Sequence, residues 1–223
     1  MISLILVGAG KGERLGLSIP KSFVKLKNKE LFLYSIEKFY KFVKKIFLAL
    51  PDEYTEKSKE IIKDKFSKVV IVKGGERRQD SVFNCLEKVE EDIVLIHDIA
   101  RPFVSENLIK KVIEKTKKYG VCIPVLKISD SIKELKGNFV KRTLDREKIF
   151  LVQTPQGFKT DLIKKAYYIC QKEKIVGVDD SFFLEKIGYG KIYCVEGERN
   201  NIKITYPEDL LFSEFLLKKW ERA

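Results

Sequence analysis

The sequence predicts an α/β protein: a mostly parallel, three-layer sheet from which a β-hairpin projects. Apolar runs of strand length recur between amphipathic segments of helix length, a pattern that implies parallel strands joined by right-handed helical crossovers. Glycine-rich or charged loops follow several of the runs, at the carboxyl ends of strands where open α/β sheets bind ligands. A third observation is a break in the alternation between Lys127 and Gln153.

The first run, Ile2–Val7, has no polar face and reads as a buried strand. It leads into Gly8-Ala9-Gly10-Lys11-Gly12-Glu13-Arg14-Leu15-Gly16, with Pro20-Lys21 shortly after. The glycines let the backbone approach a ligand closely with N–H groups free for an anion, and Arg14 and Lys21 add positive charge to the same loop. Strand, glycine loop and two cations together describe a polyphosphate cradle. The spacing matches neither a Walker A loop nor the dinucleotide fingerprint, and Pro20 blocks an immediate long helix.

Further strands are expected at Ile46–Leu50, Val69–Val72, Ile93–Ile96 and Val121–Val125, with helices over Leu31–Phe42, Glu53–Phe66, Ser81–Val89 and Ser105–Tyr119. In the last of these Leu108, Val112 and Ile113 have helical spacing, and Ser105 is placed to cap the N-terminus. Segments Ser129–Leu135 and Phe139–Leu144 flank Lys136-Gly137-Asn138, the pattern of a hairpin. A lone two-stranded ribbon is marginally stable, so residues 127–153 are expected to form an arm that joins a partner subunit. Beyond it, helices are expected over Asp161–Gln171 and Asp179–Ile187, and strands at Ile192–Val195 and Ile202–Ile204. A last helix follows from Pro207 in its favoured first-turn position to Lys219. No internal repeat or linker divides the chain, so residues 1–223 read as one domain with the arm as its only projection.

Composition narrows the function. The net charge is +12 and charged residues make up 34% of the chain, yet the basic residues are spread along it and interleaved with Glu. There is no dense basic arm and no helix-turn-helix or zinc-finger spacing, so no nucleic-acid partner is expected. A Lys- and Glu-rich surface accounts for the charge, and its field would steer anionic substrates. Cys85, Cys122, Cys170 and Cys194 are widely spaced with no Cys-x-x-Cys and His97 is the single histidine, so no zinc site is expected; each cysteine lies in an apolar stretch and is expected to be a buried free thiol. Neither a signal peptide nor a membrane span is expected, and the cytoplasm is the expected compartment.

Four further sites carry candidate chemistry. Asp98 follows a strand, opposite the glycine loop. It can hold Mg²⁺ beside substrate phosphates, or it can pair with Arg101 or cap the helix near Ser105. Gly74-Gly75 precede Asp80-Ser81, where Ser81 can cap a helix or read a base edge. Lys203 lies between Ile202 and Ile204 and needs an anion or solvent at its tip. Arg146 at the hairpin's return carries the same ambiguity.

Taken together and in order, the glycine loop with Arg14 and Lys21, Gly74-Gly75 with Asp80-Ser81, His97-Asp98-Ile99-Ala100-Arg101-Pro102, Thr143-Leu144-Asp145-Arg146, Gln153-Thr154-Pro155-Gln156 and Asn201-Ile202-Lys203-Ile204-Thr205 resemble the 2-C-methyl-D-erythritol 4-phosphate cytidylyltransferase family. The resemblance covers essentially the whole chain. It implies a Rossmann-like nucleotidyltransferase sheet, a homodimer interlocked through the arm, and a divalent metal, Mg²⁺. The implied reaction joins CTP to 2-C-methyl-D-erythritol 4-phosphate with release of pyrophosphate.

By the same resemblance Arg14, Lys21, Lys203 and Arg146 are catalytic, stabilising charge on the phosphates in a transfer that needs no protein nucleophile. Gly8, Ala9, Gly10 and Gly12 cradle CTP, Gly75 and Ser81 read cytosine, and Asp98 binds the metal. Arg101, Ser131 and Thr154 meet the acceptor, with Ser131 and Arg146 supplied by the partner's arm. Val178 stands where the family usually has Thr, Ser131 replaces Thr, Glu76 replaces Asp and Ile99 replaces Ala. The runner-up reading is a ribitol 5-phosphate cytidylyltransferase, which shares the nucleotide half; Ile99-Ala100-Arg101-Pro102 looks more like the methylerythritol family. A nucleic-acid-binding protein is a remote third.

Overall fold

The computed structural model describes residues 1–10, 12, 15, 16 and 19–220, the last two by their backbone alone. Its centre is β1 (Ile2–Val7), paired in parallel with β4 (Lys45–Leu50) on one side and β6 (Ile93–Asp98) on the other; β5 (Val69–Lys73) extends the sheet beyond β4. Beyond β6 comes β11 (Gln156–Lys159), which runs antiparallel between β6 and β7 (Val121–Lys127). β7 also pairs with β10 (Phe150–Val152), antiparallel, and with β12 (Tyr193–Glu196), parallel.

Alternation along the central strands makes the three layers. Leu4 and Leu6 of β1, Ile46, Leu48 and Leu50 of β4 and Leu95 of β6 point into one apolar cluster. It is completed by α1 (Leu31–Phe39), α4 (Glu106–Tyr119) and α7 (Pro207–Trp220). Ile5, Phe47, Ala49, Val94 and Ile96 point the other way, onto α3 (Arg78–Leu86), α5 (Thr160–Lys172) and α6 (Asp180–Lys186). Both faces are covered, which is why these strands read as unbroken apolar runs. Ser105 accepts from Leu108 N–H and caps α4, as its position predicts; the helix ends at Gly120, whose φ is +86°.

Several elements differ from the sequence-based expectation. Helix α1 stops at Phe39, and α2 (Thr55–Ile62) is shorter than predicted, entered through a 3-10 turn at Asp52–Tyr54. Helix α3 begins at Arg78 rather than Ser81, because the Asp80 carboxylate reaches back to accept from Arg77 N–H (3.1 Å) and from its guanidinium; Ser81 lies inside the helix, so it is no N-cap. Residues 202–204 form no strand. Their hydrogen bonds go to loop atoms, with Ile204 N–H donating to Ala100 O, while Ile204 is fully buried. Cys85, Cys122 and Cys170 are buried free thiols, but Cys194 is exposed, because on β12 it is Val195 that turns inward.

A two-residue pair, β2 (Lys25–Leu26) with β3 (Lys29–Glu30), leads into α1. The arm is present as β8 (Ile132–Lys136) and β9 (Phe139–Leu144), a two-stranded sheet of their own. Its return does not stay in the ribbon: β10 rejoins the main sheet beside β7, so the last part of the 127–153 span is the arm's root.

Candidate active site

The carboxyl ends of β1 and β6 open onto a cavity of about 440 Å³ lined by Gly8, Gly10, Gly12, Lys21, Glu76, Arg78, Asp98 and Lys203 among others. Backbone geometry builds its floor. Gly8 N–H donates to Ala49 O, Gly8 O accepts from Ser22 Oγ (3.0 Å), and Ile99 N–H donates to Val7 O. Gly8 leaves no space above it: a Cβ there would lie 2.2 Å from Ile99 Cδ1. Ile99 therefore packs beneath the glycine loop. Gly12 has φ +74°, a conformation that favours glycine, and its carbonyl accepts from Leu15 N–H. Lys21 sits on a 3-10 turn, Lys21–Phe23, at the cavity wall, where its ammonium donates to Ile204 O (2.9 Å).

The far wall is electrostatic. Asp98 Oδ1 accepts from Arg78 Nε (2.9 Å) and Oδ2 from Lys203 Nζ (2.8 Å). Burial alone would push this carboxyl up, but Arg78 and Lys203 hold it well below the usual carboxylate range. Arg78 turns its other two nitrogens to Asp180, at 3.0 and 2.8 Å, and Asp180 also accepts from Tyr167 OH (2.6 Å). Asp180 is fully buried. The guanidinium thus stays charged despite burial, raised by its two carboxylate partners, and the Tyr167 phenol is pushed up by burial beside Asp180.

A second cavity, about 240 Å³, adjoins the first and shares Arg78, Asp98 and Lys203 with it. Its other walls include Arg101, Thr154, Gln156, Val178 and Asp179. Arg101 Nη1 donates to Asn201 O (2.7 Å) and Nη2 to Val152 O (3.4 Å). Its Nε is buried without a hydrogen-bond partner, and among the described residues it makes no salt bridge. Burial pushes this guanidinium down, against the attraction of Asp98. A guanidinium that lines a cavity and has no carboxylate partner among the described residues is a binding element for an anion. Val178 is 87% exposed at the rim, where a Thr hydroxyl would be free to reach a ligand.

The neighbouring polar groups are rigidly held. Gln153 and Asn201 bond each other, with Gln153 also tied to Glu198 and Asn201 Nδ2 donating to Thr154 O (2.9 Å). Thr154 Oγ1 accepts from Asp98 N–H (3.1 Å) and lies 3.0 Å from His97 Nδ1. His97 is fully buried, which pushes its imidazole down to about 4, so the ring is neutral at ordinary pH.

The fold brings together Gly8, Gly10, Gly12, Lys21, Asp98 and Lys203 in the first cavity, and Arg101 and Thr154 in the second. Gly75 and Ser81 meet each other, Gly75 N–H donating to Ser81 Oγ (3.0 Å), next to Glu76 on the wall. Ala9 packs against Gly74, where a Cβ would come within 2.3 Å of it. Ser131 and Arg146 lie on the exposed arm and line neither cavity of their own chain; Arg146 Nη1 donates to Ser129 O (2.7 Å). Arg14 lies outside the described residues. Sequence reasoning missed Arg78 and Asp180. The signal was thin: of Arg77 and Arg78 only the second faces Asp98, and that choice follows from where α3 begins.

A family model described as 2-C-methyl-D-erythritol 4-phosphate cytidylyltransferase matches residues 2–219. A protein of that name from Clostridioides difficile is 40% identical over 228 aligned residues, covering 100% of this chain and 96% of its own. The crystal structure of the Thermus thermophilus protein of the same name superposes with a TM-score of 0.84 at 32% identity, over 97% of this chain and 98% of that one. A 4-diphosphocytidyl-2C-methyl-D-erythritol synthase from Anaerococcus prevotii gives a TM-score of 0.88 at 27% identity, over 98% and 96%.

Proposed function

The chain belongs to the 2-C-methyl-D-erythritol 4-phosphate cytidylyltransferase family, and from that premise we propose how its two cavities divide the work. The enzyme transfers the cytidylyl group of CTP to 2-C-methyl-D-erythritol 4-phosphate and releases pyrophosphate. A phosphate oxygen of the acceptor forms the new bond to the α-phosphorus of CTP as the bond to the β-phosphate oxygen breaks. The attacking phosphate is already anionic, so the protein's task is to position two polyanions and spread charge.

One observation carries the division of labour. The glycine-lined cavity and the Arg101 cavity meet at a shared wall of Arg78, Asp98 and Lys203. CTP occupies the first, its phosphates against the glycine-lined wall and against Lys21. Gly75 and Ser81 lie toward the base, although the Ser81 hydroxyl already donates to Arg77 O (3.2 Å) and accepts from Gly75, so the backbone of 75–76 carries the readout. The acceptor's phosphate meets the guanidinium of Arg101 in the second cavity. Lys203, with its side chain 40% exposed, can leave Asp98 for the phosphates that collect at the boundary.

Asp98 fits a divalent cation such as Mg²⁺. Mg²⁺ is often held by one or two carboxylates with water and substrate phosphates completing its shell, and Asp98 is a deprotonated carboxylate lining both cavities. Among the described residues no cluster of three or more His, Cys, Asp or Glu could hold such an ion alone, so it would arrive with the nucleotide. When bound, it supplies charge neutralisation between adjacent phosphates.

The arm is read as the dimerisation element. Phe139 is 81% exposed and Leu135 and Val140 are 58% and 61% exposed, so the ribbon presents apolar side chains to solvent that a second copy would cover. Ser131 and Arg146 would then complete the partner's acceptor cavity. Four free thiols suit a reducing compartment, and the cytoplasm is the proposed location. Among the described residues no helix is long and apolar enough to cross a membrane.

Pyrophosphate release from CTP and Mg²⁺ tests the reading directly, with methylerythritol phosphate, ribitol 5-phosphate and no acceptor in parallel. Release with methylerythritol phosphate alone is expected. Release with ribitol 5-phosphate instead would move the acceptor assignment, a result that the family match and the relatives' names argue against.

A further inference from the structure

We propose that His97 is a positioning residue for the acceptor: a single buried imidazole, bonded at both nitrogens, fixes Thr154 and the Arg101 loop against the strand end that carries Asp98. The proposal rests on reading the Arg101 cavity as the acceptor's compartment.

The polarity of the chain of bonds follows from chemistry. His97 Nε2 lies 3.1 Å from Arg101 O, and a carbonyl oxygen only accepts, so the ring proton is on Nε2. Nδ1 is then an acceptor and takes the Thr154 hydroxyl proton over 3.0 Å. The same Thr154 oxygen accepts from Asp98 N–H. One bond direction is therefore set from Thr154 through the ring to Arg101 O. Both ring faces lie in the interior, with Phe39 4.9 Å away at 50°. A histidine needed only to fill space would be replaced by an apolar ring at no cost in hydrogen bonds. Here both polar ends terminate on residues that line the second cavity, Thr154 and Arg101. The side chain of Arg101 reaches that cavity from a backbone whose carbonyl His97 holds. Loss of the ring would free that backbone and turn the Thr154 hydroxyl to another partner.

The test is steady-state kinetics with each substrate varied in turn. His97→Phe keeps a ring against Phe39 and removes both bonds. It should raise KM for methylerythritol phosphate by about tenfold or more, the scale at which a small misplacement shows, while KM for CTP stays within about twofold. His97→Asn keeps a group that can meet Thr154 and should fall between wild type and His97→Phe. Thr154→Val should reproduce the selective loss, and the double variant should be no worse than His97→Phe alone, since both break one chain. If His97→Phe does not fold, His97→Asn and Thr154→Val decide the matter. A folded variant with unchanged KM for the acceptor, equal losses for both substrates, or fully additive effects would overturn the role of His97. Arg101→Ala separates the two claims: unchanged acceptor KM there removes the compartment assignment, whereas a raised KM with an unaffected His97 series removes only the proposal made here.

Discussion

Gly8 has no room for a methyl group, and the reason lies in one neighbour. Ile99 Cδ1 would be 2.2 Å from its Cβ, with Leu50 Cδ2 and Ser22 Cβ next at 3.2 Å. Gly8→Ala should destabilise by about 1–3 kcal/mol, the usual cost of overpacking. In an Ile99→Ala background the same change should cost at least about 1 kcal/mol less, because the clashing atom is gone. Urea unfolding of the four proteins in this cycle measures the difference, and additivity would show that Ile99 is not the obstacle. The thiols give a second prediction at this scale. Burial pushes Cys85 and Cys122 up to about 12 and raises Cys170 and Cys194 as well, but of the four only Cys194 is exposed to a reagent. A thiol-specific disulfide reagent should therefore modify one cysteine rapidly in the native protein and the other three only on unfolding; mass mapping should find the label on Cys194. Asp98 was legible as a candidate because a strand end opposite a glycine loop is a functional address. Its partners were not, since Arg78 and Lys203 lie 20 residues before it and far beyond it in the chain, and only the fold joins them.

Elements were legible in proportion to how uniformly they are buried. β1, β4 and β6 are covered on both faces, so an unbroken apolar run identified each. β10 and β11 have three and four residues, one exposed and one carrying a glycine. Their partners are strands from much earlier in the chain, so no local pattern announced them. The apolar pair Ile202 and Ile204 misled for the opposite reason: Ile204 is buried under loop atoms rather than in a ladder. Helix α4 was found well because cap and periodicity agree. Its cap also carries tertiary structure, since Ser105 Oγ donates to Glu198 Oε1 (2.5 Å) while accepting from Leu108 N–H (3.0 Å). Ser105→Ala should cost about 1–2 kcal/mol, the upper part of the range for a lost N-cap, in thermal or urea unfolding. Glu198→Gln, which keeps an acceptor, should cost clearly less. Equal losses would mean that the Glu198 contact, not the cap, holds this end of the helix.

At the scale of the molecule the arm is the part that its own chain does not explain. The ribbon of β8 and β9 has Phe139 exposed and pairs Glu134 with Lys141 and Arg142 across its own strands. Such exposed pairs add little stability, and a two-stranded ribbon has no core of its own. The net charge of +12 suits the attraction of two anionic substrates, but it gives no reason for an apolar arm. The proposed dimer would supply one, and it makes a quantitative prediction. Lys21 lines the cavity of its own chain, whereas Arg146 lines neither cavity of its own chain. Lys21→Ala and Arg146→Ala should each be nearly inactive alone. If Arg146 acts across the dimer, refolding the two variants together in equal amounts makes about half the dimers mixed. Each mixed dimer holds one site with both defects and one with none, so about a quarter of the wild-type rate should return. If Arg146 instead folds back onto its own chain, every site keeps one defect and mixing restores nothing. Sedimentation of both variants must first show dimers, because a monomeric Arg146→Ala would lose activity without reporting on which subunit the arginine serves.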